Sequence, residues 1–103
     1  MSKWVKAMNV SDVPQGTGSI VAIGDKQIAV FCVEGQYYAI DNTCPHRGGP
    51  LGEGELDGPV VTCPWHGWEF DVTTGVSPIN PAACVKCFDC KVEGDGVLIR
   101  ADG

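Results

Sequence analysis

Apolar positions along the chain fall in short, β-branched runs cut by Gly and Asp, and no stretch keeps a helical period for ten residues. Ser19-Ile20-Val21-Ala22-Ile23 runs into Gly24-Asp25, and Lys26–Val33 follows as a second strand. Glu34-Gly35 has the form of a tight hairpin turn and leads into a third strand, Gln36–Asp41. Near the other end, residues 85–93 and 97–100 flank Gly94-Asp95-Gly96 in the same way. Between these regions the texture changes. Residues 42–58 are rich in Gly and Pro, then come a short strand Val60-Val61-Thr62, a loop opening at Cys63-Pro64, and a turn at Thr73-Thr74-Gly75. The pattern predicts a single all-β domain over residues 1–103, with antiparallel strands framing an inserted pair of loops. No internal repeat and no linker interrupts it.

Composition narrows the functional classes. A chain of 103 residues buries a modest core, which a metal or disulfide staple would strengthen. Hydrophobic residues at 44% against charged residues at 19% argue against disorder. Thirteen acidic against seven basic residues give a net charge of -6, which argues against nucleic acid and anionic membranes as partners. No apolar run reaches the length of a bilayer span. Met1-Ser2-Lys3-Trp4-Val5-Lys6 has no apolar core of a signal peptide, so a cytoplasmic location is expected. His46 and His66 are the only histidines, which excludes any site needing three.

Both histidines stand beside a cysteine. Cys44-Pro45-His46 and Cys63-Pro64-Trp65-His66 form C-x-H and C-x-x-H, separated by residues 47–62. Two thiolates and two imidazoles are a donor set for tetrahedral zinc or for an iron–sulfur cluster. Zinc sites more often pair like residues at C-x-x-C or H-x₃₋₅-H spacing, whereas mixed pairs suit a binuclear cluster clamped from two sides. A zinc-stapled β module acting only in protein binding remains the alternative from a different class.

Cys44-Pro45-His46-Arg47-Gly48-Gly49-Pro50-Leu51, followed by Cys63-Pro64-Trp65-His66-Gly67-Trp68-Glu69-Phe70-Asp71 and Thr74-Gly75, resembles the Rieske [2Fe–2S] signature. Ala39-Ile40-Asp41 before the first loop and Lys91-Val92-Glu93-Gly94 in the last hairpin are similar to small Rieske ferredoxins, so the likeness covers roughly residues 4–100. It implies a Rieske domain of antiparallel sheets with a two-loop cluster-binding subdomain at about residues 42–82. It implies one [2Fe–2S] cluster per chain, with Cys44 and Cys63 on one iron and His46 and His66 on the other. A third loop, around residues 77–81, is expected to cover it. Gly48, Gly49 and Gly67 would bring backbone N–H groups near the sulfides, or serve as ordinary turn glycines. Pro45 and Pro64 would stiffen the loops; Trp65, Trp68 and Phe70 would shield or simply pack, and Arg47 would lie on the rim. In the high-potential Rieske proteins of respiratory chains, the places of Trp68 and Phe70 hold a serine and a tyrosine. A disulfide in those proteins joins the places of Gly49 and Trp65. The resemblance therefore implies a low potential and no such staple.

Four cysteines remain. Cys84, Cys87 and Cys90 have the spacing that opens a bacterial ferredoxin motif, but Lys91 follows where a cysteine and proline would be needed. Strand alternation would put Cys84 and Cys90 on one face and Cys87 on the other. Cys90 is expected on the core face with Phe88 and Val92, and Cys32 with Ile28 and Val30, as small buried hydrophobes. With every cluster ligand a side chain, no position is open to substrate, and both histidines are used, so the mononuclear iron site of an oxygenase is excluded. The resemblance implies a one-electron carrier rather than an enzyme, docking transiently on a flavin-dependent ferredoxin reductase and a terminal oxygenase. The small Rieske subunit of an assimilatory nitrite reductase is the alternative within the family.

Overall fold

The computed structural model describes residues 4–44, 48–65, 67–80 and 82–100. Its strands are β1 (Trp4–Asn9), β2 (Gly18–Ile23), β3 (Lys26–Val33), β4 (Gln36–Asp41), β5 (Glu55–Asp57), β6 (Val60–Thr62), β7 (Glu69–Asp71), β8 (Cys87–Glu93) and β9 (Gly96–Arg100). Single 3-10 turns at Val10–Asp12 and Leu51–Glu53 are the helical elements among the described residues. None of these is long and apolar enough to cross a membrane.

The hairpins form where the pattern places them. Glu34 and Gly35 both take positive φ, 51° and 78°, as a two-residue turn matching strand twist requires. Six strands make one antiparallel sheet in the order β1-β9-β8-β4-β3-β2. The sheet curls until its edge strands β1 and β2 approach each other. A second sheet, β5-β6-β7, carries the inserted region.

β3 explains how the two parts join. Its run Ile28-Ala29-Val30-Phe31-Cys32-Val33 is buried throughout, because both of its faces are covered. Ile28, Val30 and Cys32 point into the curled sheet with Val13, Ala39, Val97 and Ile99. Ala29, Phe31 and Val33 face the other way, against Ile40, Cys44, Leu51, Val61, Cys63, Phe70 and Val72. The strand is a shared wall between a barrel core and a loop core. In the small sheet the register aligns Leu56, Val61 and Phe70 across the three strands, and all three lean on that second core.

Three expectations are corrected. β1 was not part of the predicted frame. Its register shifts between Lys6 and Met8, which breaks the period-two alternation. The strand expected from residue 85 begins at Cys87; Cys84 lies outside it, bridged to Val76. Val92, expected on the core face, is 43% exposed beside the Gly94-Asp95 turn. Phe88 and Cys90 do pack against the barrel core, half-buried, and Cys32 is buried with Ile28 and Val30.

Candidate metal centre

Both cysteine loops are built by one hydrogen-bond pattern. In the first, the Cys44 N–H donates to the Gly49 carbonyl (2.9 Å), and the Cys44 carbonyl accepts from the Gly48 N–H (2.7 Å). In the second, the Cys63 N–H donates to the Trp68 carbonyl (2.7 Å), and the Cys63 carbonyl accepts from the Gly67 N–H (3.1 Å). The accepting turn needs a left-handed residue four places after each cysteine. Gly48 and Gly67 supply it at φ 76° and 77°. A Thr43–Pro50 bridge closes the first loop at its neck.

The loops meet. A Cβ at Gly49 would stand 2.6 Å from Cys63 Sγ and 3.1 Å from Cγ of Trp65, so glycine is the residue this approach admits. Cys44 and Cys63 are each 2% exposed, form no disulfide, and pack with Leu51, Val61 and Phe70. Trp68 stands over that core with its ring 6.5 Å from Phe70, while Trp65 is 57% exposed on the outer side. The third loop reaches the second. Ser77 is buried, and its Oγ accepts from the N–H groups of Ile79 (3.3 Å) and Asn80 (3.1 Å). Gly67, Trp68, Ser77, Ile79 and Asn80 line a cavity of about 110 Å³ between the two loops.

The predicted ligands therefore divide. Cys44 and Cys63 come together on facing loops with buried thiols. His46 and His66, with Pro45, Arg47 and Pro81, lie outside the described residues. The sulfur half of the donor set fits a cluster: two buried thiols in no disulfide, an apolar floor, and a backbone at Gly49 too close for any side chain. Ser77 stands in the loop expected over the cluster, whereas the sequence does not single out Asn42. Asn42 stands two residues before Cys44 beside a β-strand end, where an Asn is an ordinary turn signal and so does not stand out.

Cys84, Cys87 and Cys90 do not converge. Cys84 and Cys87 are exposed on extended chain and Cys90 turns inward. Among the described residues no three His, Cys, Asp or Glu side chains gather as a metal site. Burial raises the Cys87 thiol above its ordinary range, helped by the nearby Asp71 carboxylate and Cys84.

A family model described as the Rieske [2Fe-2S] domain matches residues 3–89. The ferredoxin component of the naphthalene 1,2-dioxygenase system of Pseudomonas aeruginosa is 36% identical over 98 residues, covering 94% of each chain. The solved complex of reduced oxygenase and oxidized ferredoxin in carbazole 1,9a-dioxygenase contains a chain that aligns with TM-score 0.84 at 36% identity, covering 94% of this chain and 92% of that one. A structure from Mycobacterium tuberculosis assigned as an NADH-dependent nitrite reductase small subunit aligns with TM-score 0.89 at 21% identity, over 100% of this chain and 98% of that one, a likeness of fold alone. With two cysteine loops of matching geometry and a family match over most of its length, the chain belongs to the Rieske [2Fe–2S] domain family.

Proposed function

We propose that this chain is the electron-carrier component of a multicomponent oxygenase, taking single electrons from a flavin-dependent ferredoxin reductase and delivering them to a terminal oxygenase. In this reading residues 1–103 are one Rieske domain, and residues of about 42–82 hold the cluster. Cys44 and Cys63 bind one iron; His46 and His66 bind the other. When bound, the [2Fe–2S] group supplies reversible one-electron chemistry. The chain's own residues hold it in place and keep water from the sulfur side through Leu51, Val61 and Phe70. The observation that carries the reading is the pair of like-built cysteine loops closing on Gly49.

The curated relative and the solved complex named above are components of oxygenase systems, which favours an oxygenase as electron acceptor over a nitrite reductase. A net charge of -6 suits weak, fast, salt-sensitive docking on basic rims. None of the six cysteines is in a disulfide, which suits a reducing cytoplasm. The family's cluster displaces the zinc-stapled alternative.

Purification under exclusion of oxygen, with iron, sulfide and zinc analysis, tests the cofactor. About two irons and two sulfides per chain are expected; one zinc and no iron would overturn the reading. His66→Ala should lose the cluster or hold it weakly. The carrier role is tested by mixing with NAD(P)H and a candidate oxygenase's reductase, then with its oxygenase and substrate. The visible spectrum should bleach in the first step and return in the second.

A further inference from the structure

Among the described residues, two polar side chains are buried, Asn42 at 7% and Ser77 at 3%, and both stand at the cysteine loops rather than in the barrel core. Ser77 organises its own turn. Asn42 does more, because it ties the far end of the first loop to β3. Its backbone N–H donates to the Gln27 carbonyl of β3 (2.9 Å), and its carbonyl accepts from the Leu51 N–H (2.8 Å). Its side-chain Oδ1 accepts from the Gly52 N–H (2.7 Å), a buried bond. At Gly52 a Cβ would stand 2.4 Å from Cγ1 of Ile20 and 3.0 Å from Asn42 Oδ1, so the strand β2, the loop end and the amide are in close contact.

From that base the first loop runs as a ladder: Asn42 with Leu51, Thr43 with Pro50, Cys44 with Gly49. Each rung takes its position from the one below. The geometry points to Asn42 as a positioning residue, whose amide oxygen closes the first cysteine loop on the barrel wall and so fixes the Cys44 thiolate for iron. This rests on Cys44 being a cluster ligand. Loss of the acceptor orphans the buried Gly52 N–H, and the loop can satisfy it only by opening.

Asn42→Leu keeps the side chain's size and removes the acceptor; Asn42→Asp keeps the acceptor in the same place. The leucine variant is expected to release iron to a chelator about ten times faster than wild type, as the loss of one buried bond implies. Its loaded fraction should show altered visible circular dichroism and electron paramagnetic resonance. Asn42→Asp should restore the release rate to within threefold of wild type, an estimate from the retained acceptor. Val97→Ala, in the barrel core, is the control for lost stability alone and should leave the cluster's spectra unchanged. Should the leucine variant fail to fold, Asn42→Ser, which draws the acceptor back from Gly52, takes its place. Wild-type spectra and release rate in the acceptor-less variant would overturn the inference, as would changes that Val97→Ala reproduces or that Asn42→Asp fails to rescue. A wild-type protein without iron would instead overturn the proposed function.

Discussion

A methyl group added at Gly49 would stand 2.6 Å from Cys63 Sγ, whereas one added at Gly67 would meet nothing within 4 Å. Gly49 and Gly67 are thus required for different reasons, the first steric and the second conformational. Gly67→Ala is expected to cost about 1–2 kcal/mol of left-handed strain and to keep its iron. Gly49→Ala must push Cys63 and Trp65 away, and should lose iron whatever its melting temperature does. Iron per chain beside a thermal melt checks both; the opposite ranking in iron content would refute the steric account. The signature residues made this legible, because Gly49 and Trp65, matched in the sequence to a disulfide of respiratory relatives, do lie against each other. Asn42 was not legible, since its importance comes from burial and not from residue type. Phe70 is fully buried with its ring 6.5 Å from Trp68, and neither carries a hydroxyl. By resemblance, a serine and a tyrosine in those places donate to sulfur and favour the more negative, reduced state. Two such bonds at about 1.5–3 kcal/mol each, at 59 mV per tenfold for one electron, correspond to roughly 100–250 mV. A midpoint of about −150 mV, the low end of the Rieske range, is expected. Voltammetry at neutral pH checks it, and a value above about +150 mV would place the chain with the respiratory type.

At the scale of elements, the hairpins β2–β3, β3–β4 and β8–β9 were legible because two-residue turns and β-branched runs are local signals. The edge strand β1 was not, since its bulge shifts the alternation partway along. Nor were β5 and β7, three residues each, whose Leu56 and Phe70 gain meaning only once they align on Val61. β8 shows both outcomes within one strand. Its sequence reads as a cysteine motif, but extended geometry spreads the thiols: Cys87 faces out and Cys90 leans on the barrel core. Burial pushes the Cys90 thiol from 9.0 up to about 11. An unfolded chain ionises this thiol near 9 while the folded one holds its proton, so the stability is whole below about 9 and drains away toward about 11. Tyr37 is also raised, by burial and by the neighbouring Cys32 and Cys90, and acts in the same direction. Cys90→Val should therefore flatten the fall of melting temperature over that alkaline window. An unchanged fall would mean that Cys90 is not held protonated by its burial.

At the scale of the whole molecule, β3 separates two cores that depend on the metal to different degrees. The barrel side is closed by Ile28, Val30, Ala39, Val97 and Ile99, drawn from strands whose ladders are complete without the cysteine loops, with Val13 added from the segment after the first 3-10 turn. The loop side contains Cys44 and Cys63 themselves, along with Leu51, Val61 and Phe70, on a sheet of three-residue strands. Three-residue strands give few ladder bonds, and a small sheet of this kind is marginal without packing from elsewhere. Metal binding in small domains is also folding free energy, and here that contribution falls on one core rather than on both. Removal of the cluster should accordingly produce a half-open molecule and not an unfolded one. Hydrogen exchange read by mass spectrometry, before and after iron is stripped, distinguishes the cases. Amides of residues 42–44, 48–52, 60–65 and 67–71 should lose protection by orders of magnitude, because local opening exposes them without global unfolding. Amides of β3, β4 and β9 should stay protected, those of β3 even on the bonds it makes next to the opened loops, because its barrel face remains packed. Uniform loss across the chain would mean that the two cores are one cooperative unit, with β3 transmitting the collapse of the loops into the barrel.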